Sequence, residues 1–130
     1  MTDSTTNVVQ AMRAHGVRKI AFLSAFGVGS SFRNLPWMMQ LLVRRSSSMA
    51  AHFGDHEAVE SRLRTEKGID WVLVRATRLT EGEQKAVKEL GDDGASAGFF
   101  ASVSRSSVAR FLVDVVEGEK WNGSTPVIGN

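Results

Sequence analysis

Two short polar segments directly follow apolar runs of the chain, where a ligand could bind. Ser24 follows the apolar residues 20–23, and Arg75, Ala76, Thr77 and Arg78 follow the apolar residues 71–74. In open sheets flanked by helices, ligands bind beyond the carboxyl ends of the strands, so both segments are expected at one crevice. The alternative is that Ser24 and Thr77 only bond the backbone of turns and that the arginines are solvated.

Glycine and histidine motifs near these segments suggest two other kinds of site. Gly27-Val28-Gly29 follows the first apolar run like a dinucleotide fingerprint, but the third glycine is absent and Pro36 falls where the helix should run. His52, His56 and Glu60 have the spacing of one helix face, yet the segment is not His-Glu-x-x-His. We interpret the histidines as a surface or crevice pair and predict no metal site.

Residues 37–42 form an apolar, flexible set: Trp37, Met38, Met39, Leu41 and Leu42. Such a set is typical of core or lid packing, which is the interpretation we favour. The alternative is a wall for a planar substrate or a surface for a partner.

The composition excludes several kinds of chemistry. The length of 130 residues suits one domain, and the apolar content of 42% is that of an ordinary folded protein. The formal net charge of +2 gives no dense basic patch for nucleic acid. The absence of cysteine excludes disulfides and thiolate catalysis. The apolar stretch 35–43 is about half as long as a membrane helix. We therefore predict a cytoplasmic protein without nucleic-acid or membrane partners.

The hydrophobic pattern predicts helices that alternate with strands. Helices are expected from Asp3 to Gly16, from Pro36 to residue 42, over about residues 50–66, and after a cap at Ser104 or Ser106. Strands are expected over residues 20–23, 71–74 and 125–128, with a weak hairpin-like pair over 86–90 and 98–103. Residues 24–31 and 75–83 are expected to be loops. This order predicts an α/β fold with a parallel sheet and flanking helices.

Several stretches in this order carry a family resemblance. They are residues 7–12, His15-Gly16-Val17, Ser24-Ala25-Phe26, Asp55-His56 with Glu60 and Leu63, residues 68–75, and Ser104-Arg105 with residues 108–111. Together they resemble the atypical short-chain dehydrogenases/reductases, the NAD(P)-binding group that includes flavin/biliverdin reductase B and the nitrogen-metabolite-repression regulators. The resemblance implies that residues 1–130 form a single, truncated Rossmann-like domain, equivalent to the later strands of the family's fold.

The resemblance also implies roles for the residues at the strand ends. It places Ser24, with Ala25 and Phe26, at the nicotinamide of NAD(P)H, and Ser24 is the candidate catalytic residue. It places His56 at the cofactor ribose. The segment of Arg75, Ala76, Thr77 and Arg78 would line the nicotinamide and substrate site, with Arg78 where the reductase has a histidine.

The chain also departs from the family pattern. It has no tyrosine, so the Tyr-x-x-x-Lys pair of typical short-chain dehydrogenases is absent. Ser107 stands where relatives often have aspartate. The Gly-x-x-Gly-x-x-Gly loop that holds the pyrophosphate, and the strands around it, have no counterpart before Asp3. The strand at residues 20–23 would therefore have an open edge.

Two classes of function follow from these observations. The first is an NAD(P)H-dependent oxidoreductase-like domain that supplies the nicotinamide and substrate side of a site, as a fragment of a longer enzyme or with a partner chain. The alternative is a non-catalytic, truncated or degenerate paralogue, or a dinucleotide-sensing regulator. The substrate, and the choice between NAD and NADP, are left open.

Overall fold

The computed structural model describes residues 2–130, so Met1 of the predicted domain lies outside the described residues. The helices are α1 (Thr2–Ala14), α2 (Trp37–Arg45), α3 (Ser47–Thr65) and α4 (Arg105–Glu117), with a short 3-10 helix at Gly29–Asn34. The strands are β1 (Lys19–Ala25), β2 (Asp70–Ala76), β3 (Arg78–Thr80), β4 (Lys88–Glu89), β5 (Ser102–Ser104) and β6 (Val127–Gly129). The predicted alternation of helices and strands is confirmed.

Parallel pairing organises the sheet that carries the strand ends. Within residues 2–130 the strand order is β1-β2-β6-β4, and β1 lies at an edge. β1 pairs with β2 from Lys19 opposite Asp70 to Ala25 opposite Ala76. β6 runs parallel to β2, and the short β4 is antiparallel to β6. The predicted α/β class with a mainly parallel sheet is therefore confirmed.

The predicted hairpin-like pair is wrong. β4 pairs with β6, whereas β5 pairs in parallel with β3, in a stretch that we expected to be a loop. The segment after β4 does not form the predicted hairpin with β5, because its backbone is hydrogen-bonded to the main sheet. The carbonyl of Asp92 accepts hydrogen bonds from the Arg75 guanidinium and from the Thr125 hydroxyl.

Strands β1 and β2 extend two residues beyond the apolar runs that predicted them. Ser24 and Ala25 therefore belong to β1, and Arg75 and Ala76 belong to β2, where we expected loops. The reason is the continuous pairing of the two strands, in which Ser24 lies opposite Arg75 and Ala25 opposite Ala76. The alternation of a strand then sends successive side chains to opposite faces of the sheet.

The two faces of the sheet have separate hydrophobic cores. Val72, Val74 and Ala76 pack with residues of α4 such as Phe111 and Val115. On the other face, the core contains residues of α1, α3 and β2: Val9, Met12, Val59, Leu63, Trp71 and Leu73. The second strand is therefore covered on both faces, which is typical of an uninterrupted apolar run such as residues 71–74.

Helix α4 begins at a buried cluster of serines. The Ser104 hydroxyl accepts a hydrogen bond from the Ser107 amide at 3.2 Å, which makes Ser104, not Ser106, the N-cap. The Ser107 hydroxyl is fully buried, and it accepts hydrogen bonds from the Lys85 amide at 2.8 Å and from Asn130 Nδ2 at 2.7 Å. Ser107 thus ties the helix to two distant segments without the aspartate seen in relatives.

Candidate functional site

A cavity of about 460 Å³ lies at the carboxyl ends of β1 and β2. Five of the residues that the sequence predicted for a site line it: Ala25, Phe26, Ala76, Thr77 and Arg78. Ala25 and Ala76 lie opposite one another in the paired strands, so two small side chains leave room at this end of the sheet. The cavity therefore occupies the position at which open α/β sheets bind their ligands.

Polar groups in this cavity are few. The Thr77 hydroxyl donates a hydrogen bond to the Ile128 carbonyl at 2.9 Å, so it already satisfies strand backbone. The Arg78 side chain is exposed and has no ion-pair partner among residues 2–130. The cavity thus combines an apolar interior with one cationic side chain that is free to meet a ligand.

The sequence indicated the opposite wall of the cavity only in part, through the alternative interpretation of Met38 and Met39. The residues of this wall come from the start of α2 and from the loop before β5: Leu35, Pro36, Met38, Met39, Gly98, Phe99, Phe100 and Ala101. We had placed residues 98–101 in a strand, but they form a turn in which the rings of Phe99 and Phe100 meet edge to face at 4.8 Å. Two adjacent phenylalanines in a run of small residues were the signal that could have marked this wall.

The favoured interpretation of residues 37–42 was core or lid packing, and the core part is wrong for most of them. Met38 and Met39 line the cavity, whereas Trp37, Leu41 and Leu42 are exposed to solvent. Val43 is the buried residue of α2. These positions agree with a lid, and also with the alternative of a substrate wall or a partner surface.

Ser24 lies at the end of β1 but does not line the cavity. Its neighbours Ile20 and Phe22 pack with the core of α1 and α3, and the strand alternation puts Ser24 on that same face. The residue is only 4% exposed, and among the described residues its hydroxyl oxygen has no hydrogen-bond partner. A buried hydroxyl without a partner is costly, so this atom is available for a ligand.

Arg75 is turned away from the cavity and is fully buried. Its guanidinium forms an ion pair with Glu60 of α3, with 2.6 Å between Nη2 and Oε2. The other terminal nitrogen donates to the Ser30 hydroxyl at 3.0 Å and to the Asp92 carbonyl at 2.8 Å. Glu60 also accepts from Arg64 at 2.8 Å. Arg75 thus joins α3 to two loops at the strand ends, and its terminal nitrogens are occupied by protein groups.

His56 lies on α3 near the same end of β1. Its ring meets the Phe22 ring edge to face at 6.0 Å, and within the described part of the chain its Nδ1 atom is buried without a partner. Burial lowers the pKa of His56 from its ordinary value of 6.5; the charge of His52 lowers it further and that of Asp55 opposes both. The ring is thus held neutral, with a nitrogen that could bond a ligand.

The histidines of α3 do not assemble a metal site in the described chain. His52 is exposed and His56 is partly buried, although they lie four residues apart on one helix. In residues 2–130, no three His, Asp or Glu side chains are grouped so that they could hold a metal ion. Glu60 is instead occupied by its two arginines.

The glycines after β1 serve the packing of the turn. Gly27 has a φ of +102°, and a Cβ atom there would lie 2.5 Å from Leu35 and 2.8 Å from Phe53. At Gly29 a Cβ would lie 2.9 Å from the Arg75 guanidinium. The Gly27 amide donates to the Ser31 hydroxyl at 2.9 Å, and the 3-10 helix follows. This turn therefore bonds internally instead of offering its amides to a phosphate.

The fold is an α/β domain with a cavity at its strand ends, and comparison with known proteins identifies its family. The sequence profile of the NAD(P)H-binding family matches residues 1–119, so the chain belongs to that family. No protein with a curated description matches the sequence. The expected NAD(P)-binding family is therefore confirmed, and the fold is shared with a short-chain dehydrogenase/reductase of known structure.

Solved structures share this fold at low sequence identity. ChuY from Escherichia coli CFT073 superposes with a TM-score of 0.76 at 14% identity, over 98% of this chain and 64% of that one. ChuY from E. coli O157:H7, an anaerobillin reductase, has a TM-score of 0.73 at 15% identity, over 95% and 55%. A short-chain dehydrogenase/reductase from Veillonella parvula DSM 2008 in complex with NADP has a TM-score of 0.72 at 14% identity, over 99% and 58%. This chain spans between about half and two thirds of the length of these proteins.

Along the described chain, no helix is long and apolar enough to cross a membrane.

A second cavity, of about 380 Å³, lies between residues 84–89 and α4. Its charged residues are paired with one another, Lys120 with Glu89 and Arg110 with Asp114. We therefore take the cavity at the strand ends as the candidate site.

Proposed function

We propose that this chain supplies the nicotinamide and substrate side of an NAD(P)H-dependent oxidoreductase. The observation that carries the proposal is the cavity at the carboxyl ends of β1 and β2, lined by Ala25, Phe26, Ala76, Thr77 and Arg78. Membership of the NAD(P)H-binding family makes a nicotinamide cofactor the ligand of choice. The oxidoreductase activity is inferred from the site and is the part that experiment must test.

Unpartnered polar atoms support the fit of the nicotinamide half of the cofactor. Ser24 Oγ and His56 Nδ1 are buried, and neither has a hydrogen-bond partner within the described residues. A carboxamide and a ribose hydroxyl offer the donors and acceptors that these atoms lack. Ser24 and His56 would thus hold the nicotinamide and its ribose on the α3 face of the strand ends, with Ala25 and Phe26 beside them at the cavity.

Each candidate site residue has one role in this proposal. Ser24 orients the carboxamide or the reacting group through its hydroxyl, and His56 stays neutral to bond a ribose hydroxyl. The apolar wall excludes water, and Arg78 offers its guanidinium to a polar group of the substrate. When bound, the cofactor supplies the hydride, while the protein supplies orientation and electrostatics.

The phosphate side of the site must come from elsewhere in this proposal. The turn at Gly27 bonds internally, and Arg75 is committed to Glu60, so neither holds a pyrophosphate. A glycine-rich half, in the same protein or in a partner chain, would add its strand at the open edge of β1. Residues 1–130 would then form one Rossmann-like domain with that half.

Reduced nicotinamide mononucleotide is the sharpest probe, because it carries the nicotinamide and its ribose without the adenosine half. We expect it to bind the 130-residue chain in calorimetric titration, with an affinity within about tenfold of that of NADPH. Ser24→Ala and His56→Gln should each weaken binding. His52→Gln, an exposed histidine on the same helix, is the matched control and should bind normally.

Two outcomes decide the proposal. If the mononucleotide fails to bind, or binds equally well after both substitutions, the assignment of the nicotinamide side is wrong. If it binds as expected, turnover with quinones, flavins and enones then separates an oxidoreductase from a dinucleotide-sensing regulator, which would bind without turnover.

A further inference from the structure

Exposed apolar side chains lie on α2 and in the loop before β5, and both segments also line the cavity. We call this set the apolar rim, and its residues are Trp37, Met38, Leu41, Leu42, Phe99 and Phe100. Trp37 is 71% exposed and Phe100 is 83% exposed, although large aromatic side chains are normally buried. Contiguous exposed apolar residues on a folded chain mark a surface that binds a partner or a membrane.

Helix α2 presents most of the rim on one side. Val43 is its buried residue, and the apolar side chains away from Val43 face solvent. The four-residue spacing puts Trp37, Leu41 and Arg45 in one row along the helix. The exposed side of α2 thus carries apolar residues at its start and cations in its last turn, Arg44 and Arg45.

The cations beside the rim are Arg44 and Arg45 on α2 itself and Arg78 at the cavity. Residues 4–54, which include α2, contain no Asp or Glu. Across the described residues, Arg45 and Arg78 have no ion-pair partner, and Arg44 lies 5.4 Å over the Phe32 ring. Arg33 is paired with Asp93 at 3.2 Å. The surface around the rim is therefore apolar and cationic.

This combination favours an anionic membrane over a second copy of the chain. A symmetric dimer through the rim would bring the arginines of both copies together, and like charges across an interface are unfavourable. A membrane surface instead accepts tryptophan and leucine at the headgroup boundary and attracts arginine to anionic lipids. Exposed arginines can also lay their apolar stems on the bilayer while their charged heads stay in water.

We propose that the apolar rim docks this chain on the surface of an anionic lipid bilayer, with α2 lying in the headgroup layer. The chain does not cross the bilayer; it rests on it. Because Met38, Phe99 and Phe100 also line the cavity, its mouth then faces the lipid. Given the proposed oxidoreductase function, the substrate is an apolar molecule that partitions into the bilayer and enters from there.

Sedimentation with vesicles tests the docking without any cofactor, so its result is independent of the proposed activity. The protein is mixed with vesicles of phosphatidylcholine alone or with added phosphatidylglycerol. We expect binding that is at least about tenfold stronger to the anionic vesicles. Arg44→Gln with Arg45→Gln should weaken it about thirtyfold, at about fivefold for each arginine. Trp37→Ser with Leu41→Ser should weaken binding to both vesicles.

Matched variants elsewhere on the surface serve as controls. Val113→Ser with Val116→Ser removes exposed apolar side chains from α4, and Arg18→Gln with Arg110→Gln removes two exposed cations outside the rim. Both double variants should bind the anionic vesicles as the unaltered chain does. Equal loss in the controls and the rim variants would show that the rim has no special part.

Three other results overturn the proposal. Absence of binding to anionic vesicles excludes the docking, and equal binding to neutral vesicles excludes the role of charge. A dimer in solution that dissociates on Trp37→Ser identifies a second copy as the occupant. Conversely, a blue shift of tryptophan emission on anionic vesicles that is lost in Trp37→Phe supports the docking, because Trp37 then enters the headgroup layer.

Discussion

The two faces at the ends of β1 and β2 differ completely, although adjacent residues supply them. On the α3 face lie Ser24 and the buried Arg75, and the ion pair with Glu60 fills the space. One residue further on, Ala25 and Ala76 face an open cavity of about 460 Å³. The same pair of strands therefore carries a buried polar network on one face and an apolar cavity on the other.

This difference teaches that position at a strand end does not by itself assign a residue to a site. The sequence grouped Ser24 and Arg75 with Ala25 and Ala76, but the side chains of the first pair point to the opposite face of the sheet. Of the predicted site residues, five line one cavity. Ser24 and His56 offer unpartnered atoms on the other face, and Arg75 offers its terminal nitrogens to protein groups.

The largest expected effect comes from removing the buried ion pair between Arg75 and Glu60. Arg75→Met leaves the Glu60 carboxylate buried and removes the bonds to Ser30 and Asp92, so unfolding free energy should fall by about 3–5 kcal/mol. Urea denaturation measures it. Adding Glu60→Leu to Arg75→Met should recover much of the loss, because the buried carboxylate, which then has only Arg64 as a partner, is removed. A loss below about 1 kcal/mol in the single variant would contradict the buried pair.

The second-largest effect is expected at Gly27, in the turn that follows β1. Gly27→Ala places a Cβ against Leu35 of the cavity and Phe53 of α3 at a φ of +102°. We expect a loss of about 1–3 kcal/mol in thermal or urea unfolding. Gly54→Ala is the control: it lies in α3 with open space at its Cβ position and should stabilise the chain by about 1 kcal/mol or less. If both variants changed the unfolding free energy in the same direction, this account of Gly27 would be refuted.

Ser24→Ala should act with opposite signs on stability and on binding. Removing an unpartnered buried hydroxyl should raise the unfolding free energy by about 1 kcal/mol while weakening the mononucleotide. Ser31→Ala is the contrasting variant, since the Ser31 hydroxyl bonds both Gly27 and Val28 and its loss should destabilise by about 1 kcal/mol. Destabilisation by Ser24→Ala would mean that its hydroxyl has a partner in solution.

The smallest effect is the pH dependence that His56 contributes. Its pKa is lowered in the folded chain, so below the ordinary value of 6.5 the unfolded chain binds more protons. Stability should therefore fall as the pH decreases from about 7.5 to 5.5, and His56→Gln should flatten this slope. His52→Gln, at an exposed position, should leave most of the slope in place. An unchanged slope in His56→Gln would show that another group causes it.

Much of the fold could be predicted because its signals are local. The apolar runs at residues 20–23 and 71–74, the cap at Ser104 and the helix-ending Gly16 act through neighbouring residues. The hairpin error and the missed β3 arose because their pairing depends on distant segments. For the same reason the cavity wall at Phe99 and Phe100 was missed: the chain folds it against α2, some sixty residues away.

The sequence by itself determined the α/β class, the family and the two polar segments at the strand ends, since periodicity and short motifs are readable along one chain. Only the tertiary structure decided how far the strands run and which side chain faces which side. Pairing with β2 carries β1 through Ser24 and Ala25. Because of that extension and of the ion pair between Arg75 and Glu60, the predicted strand-end residues divide between two places. Some join a buried polar network on one face of the sheet, and the others line a cavity on the other face.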